Sequence, residues 1–365
     1  MKSQRLLSLD LFRGLTMFLL VAEGTGLYEA LHEAVPKGAF AAGIVQQFFH
    51  HPWNGLRFWD LIQPFFMFIV GVAMVFSLER RWAQGQSRAE TTRHIITRCI
   101  TLFFLGVMLH CGYNRRLVWE LWNVLTQLSF TILVAYLIYH LPARTQLIIS
   151  LGMLGLSEFL YRIFWVPGFD QPFTPDHNFG SYMDLVLMGK LNHDHWIAIN
   201  ALPTAAHTIW GVLAGKLLRS NRSARKKLQP LIVFGVVSLL VGYGLDVAGI
   251  TPIIKRTATT SFVFASGGWC LLTLALFYWL VDVRGFKRGV LFFAVVGMNS
   301  IFIYLFSQTV GSQWFNGFVA IFSGGLFGFI GLSEPTIAVF NALAALAVEW
   351  YLCWWLYKRQ IFFKI

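Results

Sequence analysis

RFWDLIQPFFMFIVGVAMVFSL, residues 57–78, decides the fold class. Beyond Asp60 it runs to Leu78 without one ionisable side chain. A helix needs about 20 largely apolar residues to cross the hydrocarbon of a bilayer, whereas a soluble helix of that length keeps a charged face. On the same criterion ten stretches read as spans: 9–29, 57–78, 94–112, 119–139, 146–165, 197–218, 229–249, 261–281, 289–309 and 336–357. A further apolar stretch, 316–332, is interrupted by Ser323-Gly324-Gly325 and closed by Glu334-Pro335, and reads as a re-entrant or interfacial segment. The expectation is an all-α polytopic membrane helix bundle of about ten transmembrane helices, forming a single domain over 1–365. Composition agrees: the 365 residues are 56% hydrophobic and 13% charged, with 35 Phe, against about 25% charged in ordinary soluble chains. Mean hydropathy is +0.61.

Charge placement sets the topology. Cytoplasmic loops collect Lys and Arg. With the N-terminus inside, the inner loops hold Lys2, Arg5, Arg80, Arg81, Arg88, Arg93, Arg144, the block Lys216 to Lys227, Arg284, Lys287, Arg288, Lys358, Arg359 and Lys364. The outer ones hold Lys37, Arg57, Arg115, Arg116, Arg162, Lys190, Lys255 and Arg256. That is nineteen against eight, with Arg13 and Arg98 inside spans. Both termini are therefore expected in the cytoplasm, and an eleventh full span would put the basic tail outside. The net charge of +12 is topological, so nucleic acid is not an expected partner; the bilayer is. The first span has no small-residue cleavage site and reads as a retained anchor. Cys99, Cys111, Cys270 and Cys353 lie in apolar runs without a CxxC pair, which indicates neither a disulfide framework nor a zinc site.

Ionisable groups within spans cost roughly 2.5–3.5 kcal/mol on insertion scales, so each needs a reason. Asp10 and Arg13 share a helix face and form an internal ion pair or, with Arg13, meet an anionic ligand. Glu23, between Ala22 and Gly24, is a desolvated base or an interfacial residue. Glu158, Asp246 and Glu349 read as structural. His50-His51-Pro52-Trp53-Asn54-Gly55, then Asp60 and Pro64, is the densest cluster. Pro52 and Gly55 make it a turn, and Trp53 is an interfacial anchor by type. Histidine titrates near neutrality and serves as base, acid or nucleophile; only one of the adjacent pair can face a cavity. The segment 166–196 is the longest polar loop. Its His193-Asp194-His195 lacks a further ligand at metal spacing, so no metal is expected.

These residues also carry a resemblance. Arg5-Leu-Leu-Ser-Leu-Asp10-Leu-Phe-Arg13-Gly14 resembles the RxxSxDxxRG opening of the heparan-α-glucosaminide N-acetyltransferase family. His50, Trp53, Gly55, Asp60, Pro64 and Gly71 are similar to its HxxWxGxxxxDxxxPxFxFxxG block. Val166-Pro167-Gly168, Tyr182-Met183-Asp184, Gly211 to Lys216, Gly297-Met298-Asn299-Ser300 and Ile361 to Ile365 follow in family order over essentially the whole chain. Departures are Asn192 to Trp196 where the family has DPEG, Thr126-Gln127 where it has QR, Glu23 where a member has Asn, and a shorter outer loop. They bear on the acceptor more than on the chemistry.

The resemblance implies a transmembrane acyltransferase that passes acetyl from cytoplasmic acetyl-CoA to a carbohydrate, an amino sugar or a glycan hydroxyl, on the outer side of a bacterial inner membrane. It implies His50 as the catalytic histidine, acting as a base or carrying the acetyl group. Positional helpers are Glu23 or Asp60 to orient the imidazole and Asn299 to donate to the oxyanion. Arg13, Arg93, Arg98, Lys216 and Arg219 would bind CoA phosphates, while Trp53, Asn54 and Asp184 would meet the sugar. A homodimer is among the assemblies expected. The rival is a transporter or flippase for a sugar or lipid-linked glycan; a structural envelope subunit ranks third.

Overall fold

A computed structural model describes residues 6–363; Lys2, Arg5, Lys364 and Ile365 lie outside the described residues. Hydrocarbon offers no hydrogen bonds, so a chain this apolar satisfies its backbone within helices. In order these are α1 (Leu7–Gly24), α2 (Leu27–Ala34), α3 (Phe40–Gln46), a 3-10 turn (Phe58–Leu61) opening α4 (Ile62–Ala83), α5 (Arg88–Asn114), α6 (Val124–Leu137), α7 (Ala143–Ile163), α8 (Phe179–Met188), α9 (Ala201–Arg219), α10 (Ala224–Val247), α11 (Thr260–Phe277), α12 (Val290–Met298), α13 (Ser300–Phe306), α14 (Asn316–Phe329) and α15 (Glu334–Lys358). Among the described residues the extended pairing is one isolated antiparallel bridge, Asn54 to Ile254.

Lipid tails are as apolar as leucine, so helices associate in a bilayer through close backbone packing at small residues. Three pairs do so here. A Cβ on Gly14 of α1 would lie 2.1 Å from the Phe293 carbonyl oxygen of α12. One on Gly71 of α4 would meet Thr208 O of α9 at 2.0 Å, and one on Gly211 would meet Phe68 O at 2.1 Å. A Cβ on Gly242 of α10 would lie 2.4 Å from Ala265 N of α11. α4 lies at the centre, with Met67, Phe68, Val72, Val75 and Leu78 fully buried. The rim shows apolar side chains outward, Phe234, Val237 and Leu240 on α10 and Phe318, Ile321 and Phe322 on α14. That is the surface a bilayer solvates, and the chain is an integral multi-pass membrane protein.

Six helices are long and apolar enough to span alone, and a seventh span arises if α12 and the 300–329 helix, bent by 74°, count as one. The sequence-based ten also include α1, α6 and α9, which fall short of that test. α1 carries Asp10, Arg13 and Glu23, α6 has 14 residues, and α9 carries buried Thr204, His207 and Thr208. The polar groups of these inner helices face protein instead of lipid.

The break near the C-terminus falls elsewhere than the sequence suggests. Ser323-Gly324-Gly325 stays helical, Ser323 Oγ bonding Val319 O at 3.1 Å and Asn341 Oδ1 at 2.6 Å. A continuous helix therefore runs from α13 through a π-helical stretch (Ser307–Phe315) into α14, which ends at Phe329. The kink sits at Asn299, whose Nδ2 donates to Ile361 O (3.0 Å) and whose Oδ1 accepts from Phe363 N (2.9 Å). Its side chain holds the C-terminal segment against the bundle.

At one end of the bundle three loops meet. Gly55, at φ +143°, takes a conformation that favours glycine and donates its N–H to Ile253 O at 2.8 Å. Trp53 Nε1 reaches Phe173 O (2.7 Å), and Arg256 Nε reaches Asp194 O (2.5 Å). Loops 47–57 and 249–259 and the segment 166–200 that carries α8 thus form one surface.

Candidate functional site

Asp60 organises this end. As the third residue of the turn that opens α4, it accepts the N–H of Arg57 on Oδ2 at 2.9 Å, and Oδ2 also takes the His51 N–H at 3.2 Å. Oδ1 stands 2.9 Å from His50 Nδ1. The carboxylate is 1% exposed and the imidazole 34%. Carboxylate-to-Nδ1 pairing fixes the ring and its tautomer in His-based catalytic sites. It leaves Nε2 as the basic nitrogen, and this atom has no hydrogen-bond partner among the described residues. The ring packs edge-on against Trp196, centroids 5.4 Å apart, and Arg57 Nη1 donates to the His50 carbonyl at 3.0 Å.

A residue that sequence reasoning counted only as outer-loop charge completes the group. Lys255 Nζ lies 3.1 Å from His50 Nδ1 and 3.7 Å from Asp60 Oδ1. Nothing local announces this, since the contact spans 205 positions and depends on the Asn54–Ile254 bridge. Burial, then the Lys255 charge, pushes the His50 imidazole down to about 4 against the pull of Asp60. Burial likewise lowers the Lys255 ammonium to about 8, with Asp60 and Glu23 opposing.

The other expected residues divide between the two ends. Glu23 lies near the cluster, but its Oε1 accepts from Trp59 Nε1 at 2.8 Å instead of touching the imidazole. Trp53 borders His195 edge-on, and Asn54 is exposed at the bridge. Asp184 is 1% exposed, holding Trp122 Nε1 (2.7 Å) and Ala198 N (3.0 Å), and burial raises its carboxyl to about 7. Those bonds make it a brace for α8 and the start of α9. Asn299 is committed to the C-terminal segment and is not brought to His50.

At the opposite end lies a cavity of about 690 Å³ between α1, α4, α5, α6 and α13, lined by Asp10, Arg13, Arg80, Arg98 and Ser300 among apolar side chains. That volume suits a small-molecule or cofactor site. It runs along α4 from Arg80 to Phe66, about 21 Å at 1.5 Å per residue. Arg13 Nη2 pairs with Asp10 at 3.0 Å, whereas Arg98 has its Nε buried without a hydrogen-bond partner among the described residues. Arg93, Lys216 and Arg219 do not line the cavity. Arg93 is exposed, Lys216 Nζ bonds Tyr139 O at 2.5 Å, and Arg219 pairs with Glu79. Arg80, read from sequence as topological charge, joins instead.

From Phe66 to Asp60 is a further six residues, about 9 Å along the helix. The polar strip Gln63–Gln127–Asn200 and the Trp59–Glu23 bond fill this interval.

A family model described as "Heparan-alpha-glucosaminide N-acetyltransferase, catalytic" matches residues 5–248. The Homo sapiens heparan-alpha-glucosaminide N-acetyltransferase is 24% identical over 377 residues, covering 85% of this chain and 54% of that protein. The Mus musculus protein of that name is 23% identical over 366 residues, covering 83% and 53%. The chain spans about half the length of these relatives. His50, Asp60, Glu23, Arg13, Arg80 and Arg98 fall within the matched residues; Lys255, Arg256 and Asn299 lie beyond them. The chain belongs to the heparan-alpha-glucosaminide N-acetyltransferase family of membrane acetyltransferases.

Proposed function

We propose that this protein moves an acetyl group from acetyl-CoA, bound at the cavity on the cytoplasmic side, to an amino sugar or glycan hydroxyl at His50 on the outer side of a bacterial inner membrane. The observation that carries the reading is the alignment of two chemistries along the same pair of helices. An arginine-lined cavity opens between α1 and α4, and a histidine–carboxylate pair stands at the other end of α4. The whole chain, 1–365, acts as one transferase domain in this reading.

The donor set fits a phosphorylated carrier. Arg98 makes no ion pair with a carboxylate among the described residues and has a buried orphan N–H, the state in which a guanidinium takes phosphate oxygens. Bound acetyl-CoA supplies an activated acetyl thioester. His50, neutral at physiological pH, takes at Nε2 the proton of the attacking nitrogen or oxygen as that atom bonds the acetyl carbon; the thioester C–S bond breaks, and the imidazolium returns the proton to the departing CoA sulfur. Asp60 holds the ring through Nδ1 and balances the imidazolium charge that develops. Trp53 offers a flat face to a sugar ring, Trp196 carries the Lys255 and Arg256 cations over its ring, and Arg256, whose Nη1 bonds the His51 and Pro52 carbonyls, fixes the turn that carries the base. For donor and acceptor to meet, the strip of Gln63, Gln127 and Asn200 parts.

The test uses purified protein, labelled acetyl-CoA and a panel of amino sugars and neutral glycans. Transfer that disappears in His50→Ala and persists in His51→Ala, whose side chain takes no part, supports the reading. Unchanged transfer in His50→Ala, or no binding of acetyl-CoA, refutes it.

A further inference from the structure

We infer that Lys255 is a positioning residue of the transfer site: its ammonium, seated against Asp60 Oδ1 and His50 Nδ1, keeps the carboxylate ionised and the imidazole neutral. This rests on His50 acting as the base, as proposed above. The family match ends at residue 248 and assigns Lys255 no part.

Three observations carry it. First, the Lys255 side chain is 7% exposed, and a lysine so buried stays charged only beside an anion. The carboxylate it pairs with is Asp60. Secondly, its placement is built in: the Gly55 N–Ile253 O bond and the Asn54–Ile254 bridge pin its loop to the histidine turn, and its ammonium sits over Trp196 at 5.3 Å from the ring centroid. Thirdly, the hydrogen bonding at His50 Nδ1 is contested. Asp60 and Lys255 both stand within bonding distance of one nitrogen, which cannot both donate and accept.

If Asp60 takes the Nδ1 proton, the lysine N–H groups turn to the carboxylate and Nε2 keeps its lone pair. Without the ammonium, the buried carboxylate faces the imidazole alone, and the pair gains a proton as imidazolium–carboxylate. Nε2 then carries hydrogen and cannot accept one. The charged groups facing this pair are Asp60 and Arg57 from the turn before α4, Glu23 from α1 through Trp59, and Arg256 from the same loop as Lys255. Arg57 and Arg256 make no carboxylate ion pair among the described residues, so Lys255 is the cation that Asp60 balances.

The experiment compares wild type with Lys255→Met and Lys255→Arg over pH 4.5–9. In wild type kcat/KM holds level down to about pH 5. In Lys255→Met the acid limb moves up by about one unit or more. Transfer at pH 4.5 then falls at least about fourfold against that at pH 8.5, where it stays near wild type. Lys255→Arg returns the limb part of the way, and Lys255→Gln serves where Met does not accumulate. A purely structural role lowers activity alike at every pH. A second readout needs no activity: the rate at which diethyl pyrocarbonate modifies His50, followed by peptide mass in a His51→Asn background, reports neutral imidazole directly. An acid limb and a modification profile that stay put in Lys255→Met overturn the inference. Absence of transfer in wild type refutes the proposed function, while the modification profile still decides the role of Lys255.

Discussion

Asp60→Asn separates chemistry from folding at the candidate site. The amide keeps the shape of the carboxylate and one oxygen for the Arg57 and His51 N–H groups. That leaves its NH2 facing His50 Nδ1, 2.9 Å away. An NH2 donates, so Nδ1 becomes the acceptor and the proton moves to Nε2, the wrong tautomer for a base. The corresponding exchange in the serine-protease triad lowers turnover by about 10⁴, and a loss of about 10³–10⁴ is expected here. Stability responds less, because Lys255 has an outlet. Its ammonium titrates near 8, so shedding the proton at pH 7 caps its unpaired-charge cost at about 1.4 kcal/mol. The sign follows: the folded-state pKa is already below the unfolded value, the variant lowers it further, and the extra cost shrinks as pH rises toward 8. Acetyl transfer and thermal unfolding in the same detergent, at pH 7 and pH 8, measure both quantities. Transfer within tenfold of wild type refutes the tautomer argument. Failure to fold that pH 8 does not relieve refutes the Lys255 arithmetic.

Arg98→Met removes the guanidinium with the unpartnered N–H from the cavity; KM for acetyl-CoA rises about tenfold or more, with kcat nearly unchanged, in steady-state kinetics. Trp59→Phe strips Glu23 of its indole donor and leaves a half-buried carboxyl without that bond, costing about 1 kcal/mol in thermal unfolding. Gly14→Leu forces α1 off α12 where their backbones nearly touch, and the folded fraction recovered by size exclusion drops severely. Asn299→Leu frees residues 361–363 from the kink, so limited proteolysis cuts the C-terminal segment faster than in wild type.

The parts of this molecule legible in the sequence are those where a residue's neighbour is lipid or its own turn. The 57–78 run shows itself because a lipid-facing and core-facing helix carries no charge. α1 and α9 are harder, since Glu23, Thr204 and His207 have protein neighbours that a hydropathy window treats as solvent. The Asn299 kink escapes because its cause lies 62 residues away, at Ile361, whereas Ser323-Gly324-Gly325 looks like a break until Asn341 supplies its hydrogen bond.

The site divides the same way. His50 and Asp60 are ten residues apart, and a turn brings them together, so their pairing is close to a local property. Lys255 reaches them only through a long-range backbone bridge. Among the arginines, composition can place charge near a span end but cannot say which side chains are already paired. Arg219 is spent on Glu79 and Lys216 on Tyr139, whereas Arg98 and Arg80 border the cavity.

The claim that carries the rest is transfer across the bundle, from the arginine-lined cavity to the His50 end. Protein reconstituted with one orientation in sealed liposomes tests it, with labelled acetyl-CoA added only on the face exposing Arg98 and amino sugar sealed on the face exposing His50. Acetylated sugar is expected on the His50 side, and none with His50→Ala. Product formed only when donor and acceptor share one compartment would contradict it.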